Sequence, residues 1–218
     1  MTENSGPNAV ISFSPQTYAL ALRELSDHDP ILAEIRGCFG DPPMWDRPQG
    51  FPTLVHIILE QQVSLASANA AFNKLLDAVS HLTPECLLKL DDLTMKAVGF
   101  SRQKAGYVRD LARAISSGGL DLKRLESMDS ERVRVELMKI RGIGHWTADI
   151  YLLMCLLRAD IWPRGDLALA AAVQEVFDLE SRPSYDELDT IALKWKPWRA
   201  AAARLFWHYY LSTPRVRR

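Results

Sequence analysis

Apolar residues recur at helical spacing along most of the chain, and strand-like alternation is nearly absent. Phe51 to Glu60 and Ser64 to Leu82 mix apolar and polar positions with that period and predict two helices joined by a short turn. Ser14-Pro15 and Asp29-Pro30 each set a capping side chain before a proline at the first helical position. Helices are expected from there to about Leu25 and to about Cys38. Between Gly40 and Gly50, the prolines Pro42, Pro43 and Pro48 forbid regular structure and predict a rigid loop. Thr83-Pro84 and Ser101 start further helices, the second ending near Ser116, and Ser130 caps one running to Lys139. Trp146 to Leu157, Asp166 to Phe177, Ser184 to Lys194 and Pro197 to Leu211 complete the series, with only Val10 to Phe13 reading as extended. The class is all-α, about a dozen helices on short turns, with no repeat of fixed period.

One junction differs from an ordinary helix–helix turn. In Leu137-Met138-Lys139-Ile140-Arg141-Gly142-Ile143-Gly144-His145-Trp146-Thr147-Ala148, one apolar helix ends, two glycines flank an isoleucine, and a second apolar helix begins at once. Glycines allow the backbone conformations of a tight turn and the close approach of another backbone. The second helix then offers its first N–H groups and positive dipole end to an anion, for which a phosphate oxygen is a natural ligand. Ile143 is expected to plug the turn into the core. A bare Gly-x-Gly is also an ordinary C-cap between packed helices.

Composition changes this picture little. The 218 residues carry 26 Lys and Arg against 27 Asp and Glu, so no global charge favours nucleic acid, although phosphate contacts depend on local charge. Basic residues do cluster: Arg102, Lys104, Arg109 and Arg113; Arg132, Arg134, Lys139 and Arg141; and Lys194, Lys196, Arg199, Arg204, Arg215, Arg217 and Arg218. Taken alone, each run reads first as a solvated helix face. Cys38, Cys86 and Cys155 form no C-x-x-C pair, which excludes a zinc site or four-cysteine iron–sulfur cluster built from this chain and predicts reduced core thiols. The start MTENSGPN lacks the features of a signal peptide, and no apolar run is long enough to span a bilayer, so a cytoplasmic protein is expected.

With its flanking residues, Leu-x4-Gly-Ile-Gly-x-x-Thr-Ala resembles the helix-hairpin-helix motif. The chain as a whole resembles the helix-hairpin-helix (HhH-GPD) superfamily of DNA glycosylases, particularly its bacterial 3-methyladenine DNA glycosylase II branch. The likeness runs roughly from Asp29 to Ser212 and rests on FPTLVHIILEQQVSLASA (Phe51 to Ala68), Gly99 to Ile115, Leu137 to Ala148, PRGDLAL (Pro163 to Leu169) and the WKPWR of Trp195 to Arg199. It implies a two-lobed helical fold with the active-site cleft between the lobes. The chain 1–218 would form a single glycosylase unit, with the hairpin at about 130–157 and without the N-terminal β-rich domain of longer members.

The resemblance also implies roles. Asp166, about twenty residues past the hairpin and followed by Leu167-Ala168-Leu169, matches the catalytic aspartate, although read alone it is a helix cap. An anionic carboxylate is favoured at a helix start, and the chemistry requires one. Trp146, Trp207 and Tyr151 would form the base pocket, while Phe206 and Tyr209 read first as core. Gln62, in Gln61-Gln62-Val63-Ser64, would be the wedge that fills the gap left in DNA. Arg141, Gly142, Ile143, Gly144, His145 and Thr147 would form the DNA-binding hairpin, with a structural Na+ or K+ on the main-chain carbonyls of Met138, Ile140 and Ile143. Superfamily members that also cut the backbone carry a lysine directly before the Thr-Ala pair. Here that residue is Trp146, which cannot be a nucleophile, so a monofunctional enzyme is expected. Two departures concern substrate range: Ile150 stands where the branch has a pocket tyrosine, and Pro163-Arg164-Gly165 is one residue longer than in longer relatives.

The expected reaction is hydrolytic release of an alkylated purine of the 3-methyladenine or 7-methylguanine type from double-stranded DNA, in base excision repair, by a monomer. A cationic base is drawn to aromatic faces and leaves readily, while a carboxylate stabilises the oxocarbenium-like sugar. Three alternatives stay open at this point: a glycosylase for uracil, hypoxanthine or a mismatch; a non-catalytic hairpin DNA-binding protein; and a helical protein-interaction module.

Overall fold

The computed structural model describes residues 10–213; the expectations placed on MTENSGPN and on Arg215, Arg217 and Arg218 lie outside them. Among the described residues there are twelve α-helices: α1 (Pro15–His28), α2 (Pro30–Phe39), α3 (Phe51–Glu60), α4 (Leu65–Ala78), α5 (Pro84–Leu88), α6 (Asp92–Ala97), α7 (Arg102–Ser116), α8 (Ser130–Met138), α9 (His145–Met154), α10 (Leu167–Val176), α11 (Tyr185–Ala192) and α12 (Arg199–Ser212). Extended pairing among these residues is confined to an isolated antiparallel bridge between Ser12 and Arg158. Around it Phe13 N–H donates to the Leu157 carbonyl at 2.7 Å and Ala159 N–H to that of Ile11 at 2.9 Å. No described helix is long and apolar enough to cross a membrane.

Side-chain caps set most of the helix starts. Ser14, Asp29, Ser64, Thr83, Ser101, Asp166 and Ser184 each accept from a backbone N–H in the first turn that follows. For α8 the cap is Asp129 rather than Ser130, its carboxylate accepting from Arg132 N–H at 2.9 Å. Helix α4 stops at Ala78, short of Leu82, because Val79 is extended. The sequence pattern missed α6 and a 3-10 turn at Arg124–Ser127; at six and four residues, neither is long enough to show a period. Of the three thiols expected in the core, only Cys155 is buried, and Cys38 is exposed.

The chain divides into two compact units, one made of Met1–Asp46 and Leu152–Arg218, the other of Arg47–Tyr151. In the first, α12 is the central element and packs against α10, α2 and α1. Its run Ala200 to Ala203 is fully buried, small side chains that let the neighbouring helices come close. Arg204 in the same helix is also fully buried. Its guanidinium donates to the carbonyls of Met44 (2.6 Å), Ala200 (3.0 Å) and Leu153 (2.8 Å) and lies 5.6 Å from the rings of both Phe13 and Tyr18. Burial lowers its pKa to about 10, so it stays charged at neutral pH. The WKPWR segment is a staple within this unit: the Trp195 indole donates to Asp29 at 2.8 Å, the Trp198 indole to Glu24 at 2.6 Å, and Arg199 forks onto Asp160 at 2.5 and 3.0 Å.

In the second unit α3 is buried almost all round and packs against α4 and α7. Its last residue, Glu60, is buried and satisfied by a bidentate pair with Arg47 at 3.0 and 2.8 Å.

Asp29 joins three interactions, capping α2, accepting the Trp195 indole and pairing with Lys194 at 2.8 Å. Burial by itself would raise its pKa, but Lys194, Trp195 and Leu32 N–H together hold it below the ordinary value. The stabilisation is therefore complete above the unfolded-state pKa of about 3.9 and is lost as pH falls through the lower folded-state value. Asp29→Ala is expected to lower the unfolding free energy by about 1–3 kcal/mol at neutral pH in urea melts, with the gap to wild type closing toward acid pH.

Candidate active site and hairpin

The predicted site residues fall into two groups, each internal to one unit. In the first unit, Gly165 adopts φ +88° and turns the chain so that Asp166 begins α10. Asp166 is both a cap and the focus of a polar cluster: its Oδ1 accepts from Leu169 N–H at 2.8 Å and from the Trp207 indole at 3.2 Å. Two donors on one oxygen fix the carboxylate's orientation, and the helix N-terminus favours the negative charge. Trp207 is mostly buried, so its indole orients Asp166 as well as offering an aromatic edge. Trp45, in the irregular loop between Gly40 and Gly50, stands edge-on to Trp207 with ring centroids 6.4 Å apart.

The hairpin belongs mainly to the second unit. Helix α8 ends at Met138, the turn closes with Ile143 N–H donating to the Ile140 carbonyl at 3.0 Å, and α9 starts at His145. Ile143 is buried, as its place between two glycines predicts. The two helices are joined by Arg134, whose Nε donates to the buried Asp149 at 2.6 Å. Burial opposes the Arg134 charge, but Asp149 and Glu131 outweigh it and raise its pKa.

The two glycines have different tasks. Gly142 has φ +91°, and a Cβ there would lie 2.1 Å from the Tyr107 ring, so neither its backbone nor its surroundings admit a side chain. A Cβ on Gly144 would meet nothing within 4 Å. As the residue whose carbonyl accepts the first α9 bond, from Ala148 N–H at 3.0 Å, Gly144 has no side chain with which to cap the helix. His145 beside it is exposed. Gln61, whose role no local pattern shows, clamps the turn: its side-chain amide donates to the Gly142 carbonyl at 2.8 Å and to Thr147 Oγ1 at 2.9 Å. Its neighbour Gln62 is exposed and left-handed, φ +57°, at the tip between α3 and α4, with Val63 and Leu65 also exposed. A non-glycine residue held there stores strain of a kind often found at functional positions.

Several expectations need correction. Tyr151 is fully buried, its hydroxyl accepting from Gly50 N–H at 3.2 Å, so it has no exposed surface for a base to stack on. Ile150 is likewise buried. Thr147 is buried and engaged by Gln61, which makes its part in the hairpin internal rather than a contact to DNA. The basic runs lie largely on solvated helix faces, as read from the sequence, and many of their charges pair with carboxylates of the same chain. Arg109 pairs with Asp92 at 2.6 Å, Arg113 and Arg141 both pair with Asp110 at 2.8 and 2.6 Å, and Lys139 pairs with Glu136 at 2.7 Å. Lys104 donates to the Leu59 carbonyl at 2.6 Å, and burial lowers its pKa. Arg141 also lies 5.8 Å from the Tyr107 ring and remains mostly exposed. Among the described residues no cluster of three or more His, Cys, Asp or Glu side chains could hold a metal ion.

Urea melts should separate the two glycines. Gly142→Ala is expected to cost about 2–4 kcal/mol, from the left-handed backbone and the overlap with Tyr107. Gly144→Ala should cost less than about 1 kcal/mol. Gln61→Ala, which leaves the Gly142 carbonyl without this donor, should cost about 1–3 kcal/mol.

The chain is similar to known DNA repair proteins. The HhH-GPD superfamily of base excision DNA repair proteins matches residues 55–198. Bacillus subtilis YfjP is 32% identical over 162 residues, covering 71% of this chain but only 56% of its own length. An alkylbase DNA glycosidase-like protein of Schizosaccharomyces pombe is 28% identical over 197 residues, 87% of this chain and 92% of that protein. The solved structure of the Schizosaccharomyces pombe 3-methyladenine DNA glycosylase in complex with abasic DNA is similar at TM-score 0.81 and 27% identity, over 86% of this chain and 95% of that one. The family match takes in the Gly142–Gly144 hairpin, the Asp166 turn and the residues up to Trp198, and the chain belongs to the HhH-GPD superfamily of base excision DNA repair proteins.

Proposed function

We propose that this protein is a monofunctional DNA N-glycosylase of base excision repair. It extrudes an alkylated purine from double-stranded DNA and hydrolyses its N-glycosyl bond, with Asp166 as the catalytic carboxylate, acting as a monomer. The observation that carries the reading is the immobilised Asp166 carboxylate at the start of α10, held by Leu169 N–H and the Trp207 indole. The Schizosaccharomyces pombe structure, solved with abasic DNA, supports the same reaction class.

The steps follow from the residues. The hairpin meets a phosphate with the first N–H groups of α9, where Gly144 keeps the approach open and exposed His145 and Arg141 add donors. Carbonyls of Met138, Ile140 and Ile143 are hard oxygen donors suited to Na+ or K+, and the Ile140 carbonyl, with one lone pair given to Ile143 N–H, keeps the other. A cation bound there would add positive charge beside the phosphate. Extruding the nucleotide costs a few kcal/mol, and Gln62, presented on its left-handed tip, fills the vacated stack. An alkylated purine carries positive charge, so it departs as a neutral base without needing a proton first. Asp166 stabilises the oxocarbenium-like sugar and takes a proton from the attacking water, whose oxygen bonds to the anomeric carbon. Trp146 precedes Thr147-Ala148 where a lyase would need its lysine, so no covalent enzyme–DNA intermediate forms.

Mass spectrometry of bases released from methylated DNA tests the reading. Asp166→Asn is expected to reduce release by at least about a thousandfold while leaving duplex affinity within about threefold. Release by the variant at the wild-type rate removes Asp166 from the mechanism, and borohydride trapping of the wild type on DNA removes the monofunctional assignment.

A further inference from the structure

We infer that Asp110 on α7 restrains the hairpin's Arg141 and so limits how tightly the protein holds undamaged DNA, an assignment that rests on the hairpin binding a phosphate. Gly106, Tyr107 and Asp110, which share one face of α7, together receive the Arg141 side chain. A Cβ on Gly106 would lie 3.0 Å from Arg141 Nη2, so the glycine leaves the space that the guanidinium takes. Glycine inside a helix is unfavourable by itself, and what crosses it here accounts for its place. The guanidinium lies 5.8 Å from the Tyr107 ring, and Nε donates to Asp110 Oδ2 at 2.6 Å. The same ring fills the space beside Gly142, the next residue, so the turn and its arginine are both seated against α7.

The other carboxylate oxygen of Asp110, Oδ1, accepts from Arg113 at 2.8 Å. One negative charge is therefore shared by two arginines whose side chains remain mostly exposed. An ion pair this open to water is weak, and a phosphate can displace it. While intact it cancels part of the positive charge that draws a duplex to the hairpin. Undamaged DNA is held almost entirely by such phosphate contacts, so a charge cancelled beside the turn acts on that binding directly. A carboxylate serving only to stabilise α7 needs just the Arg113 pair within its own helix. Asp110 also reaches the side chain that precedes Gly142 in the turn. It is a positioning residue, acting on DNA through Arg141.

The test measures binding to an undamaged duplex by fluorescence anisotropy between about 50 and 200 mM salt. It uses wild type, Asp110→Asn, Asp110→Glu, Arg141→Gln and the double variant Asp110→Asn/Arg141→Gln. Asp110→Asn is expected to bind about three- to tenfold more tightly at the lowest salt, with a salt dependence steeper by about one phosphate contact. Asp110→Glu, which keeps the charge, should stay within about twofold of wild type. Arg141→Gln should bind more weakly, and adding Asp110→Asn to it should change little. Wild-type affinity and salt dependence in Asp110→Asn, beside a weakened Arg141→Gln, overturn the inference while leaving the hairpin's phosphate contact intact. A gain that persists in full in the double variant does not pass through Arg141 and also overturns it. Binding by Arg141→Gln at wild-type strength removes Arg141 from the hairpin's contact with DNA, and this inference with it. If Asp110→Asn fails to fold, Asp110→Ser takes its place with the same expected gain. Failure of both makes Asp110 a residue of the fold alone and overturns the inference.

Discussion

A guanidinium with no exposed surface organises the unit that carries Asp166. Arg204 sits among buried alanines on α12 and gives its protons to carbonyls from three places: the loop before α3, its own helix and α9. Burying a charge is tolerable only when its donors are used, and here each bond ties down backbone that would otherwise lack a fixed position. The same α12 carries Trp207, whose indole reaches Asp166, so the residue that anchors the loop and the residue that orients the carboxylate share one rigid rod. Phe13 and Tyr18 flank the guanidinium with their rings, and burial raises the Tyr18 hydroxyl well above its ordinary pKa, keeping it a donor to the loop carbonyls.

The two glycines that flank Ile143 in the hairpin are constrained very differently. Gly142 is required by the protein itself, since the Tyr107 ring fills the space of any side chain. Gly144 is not constrained in that way and leaves open space before the first turn of α9. Gln61 reaches across from the end of α3 and uses both amide protons on the turn, one on the Gly142 carbonyl and one on Thr147. The wedge candidate is the very next residue, so one turn braces the hairpin with Gln61 and projects Gln62 outward. Gln62 itself is left-handed and exposed.

Local chemistry made much of this legible before any coordinates. Ser14, Asp29, Ser64 and Ser101 start helices because their side chains satisfy backbone donors within three residues, an interaction contained in the sequence window itself. Ile143 between its glycines and Asp166 before Leu-Ala-Leu were likewise visible as patterns. Tyr151 was misjudged because an aromatic residue on a helix gives no sign of which way it faces, and here its hydroxyl is spent on Gly50. The partners of the basic runs were hidden for a related reason. Their charges meet carboxylates such as Asp110 and Asp92, which come near only after the chain has folded.

The sequence by itself determined the all-helical class, the hairpin and the cap that became the candidate catalytic carboxylate. These depend on period, on backbone freedom at glycine and on contacts a few residues long. Tertiary structure alone decided what surrounds Asp166. The Trp207 indole comes from 41 positions away, and the Arg204 bond that anchors the loop before Trp45 spans 160. Such partners are set by how helices pack, and the period of apolar positions marks which face is buried but not what it meets. The sequence, through the resemblance, could therefore point to Asp166 and to Trp207, while the hydrogen bond between them and the edge-on Trp45 became visible only in three dimensions.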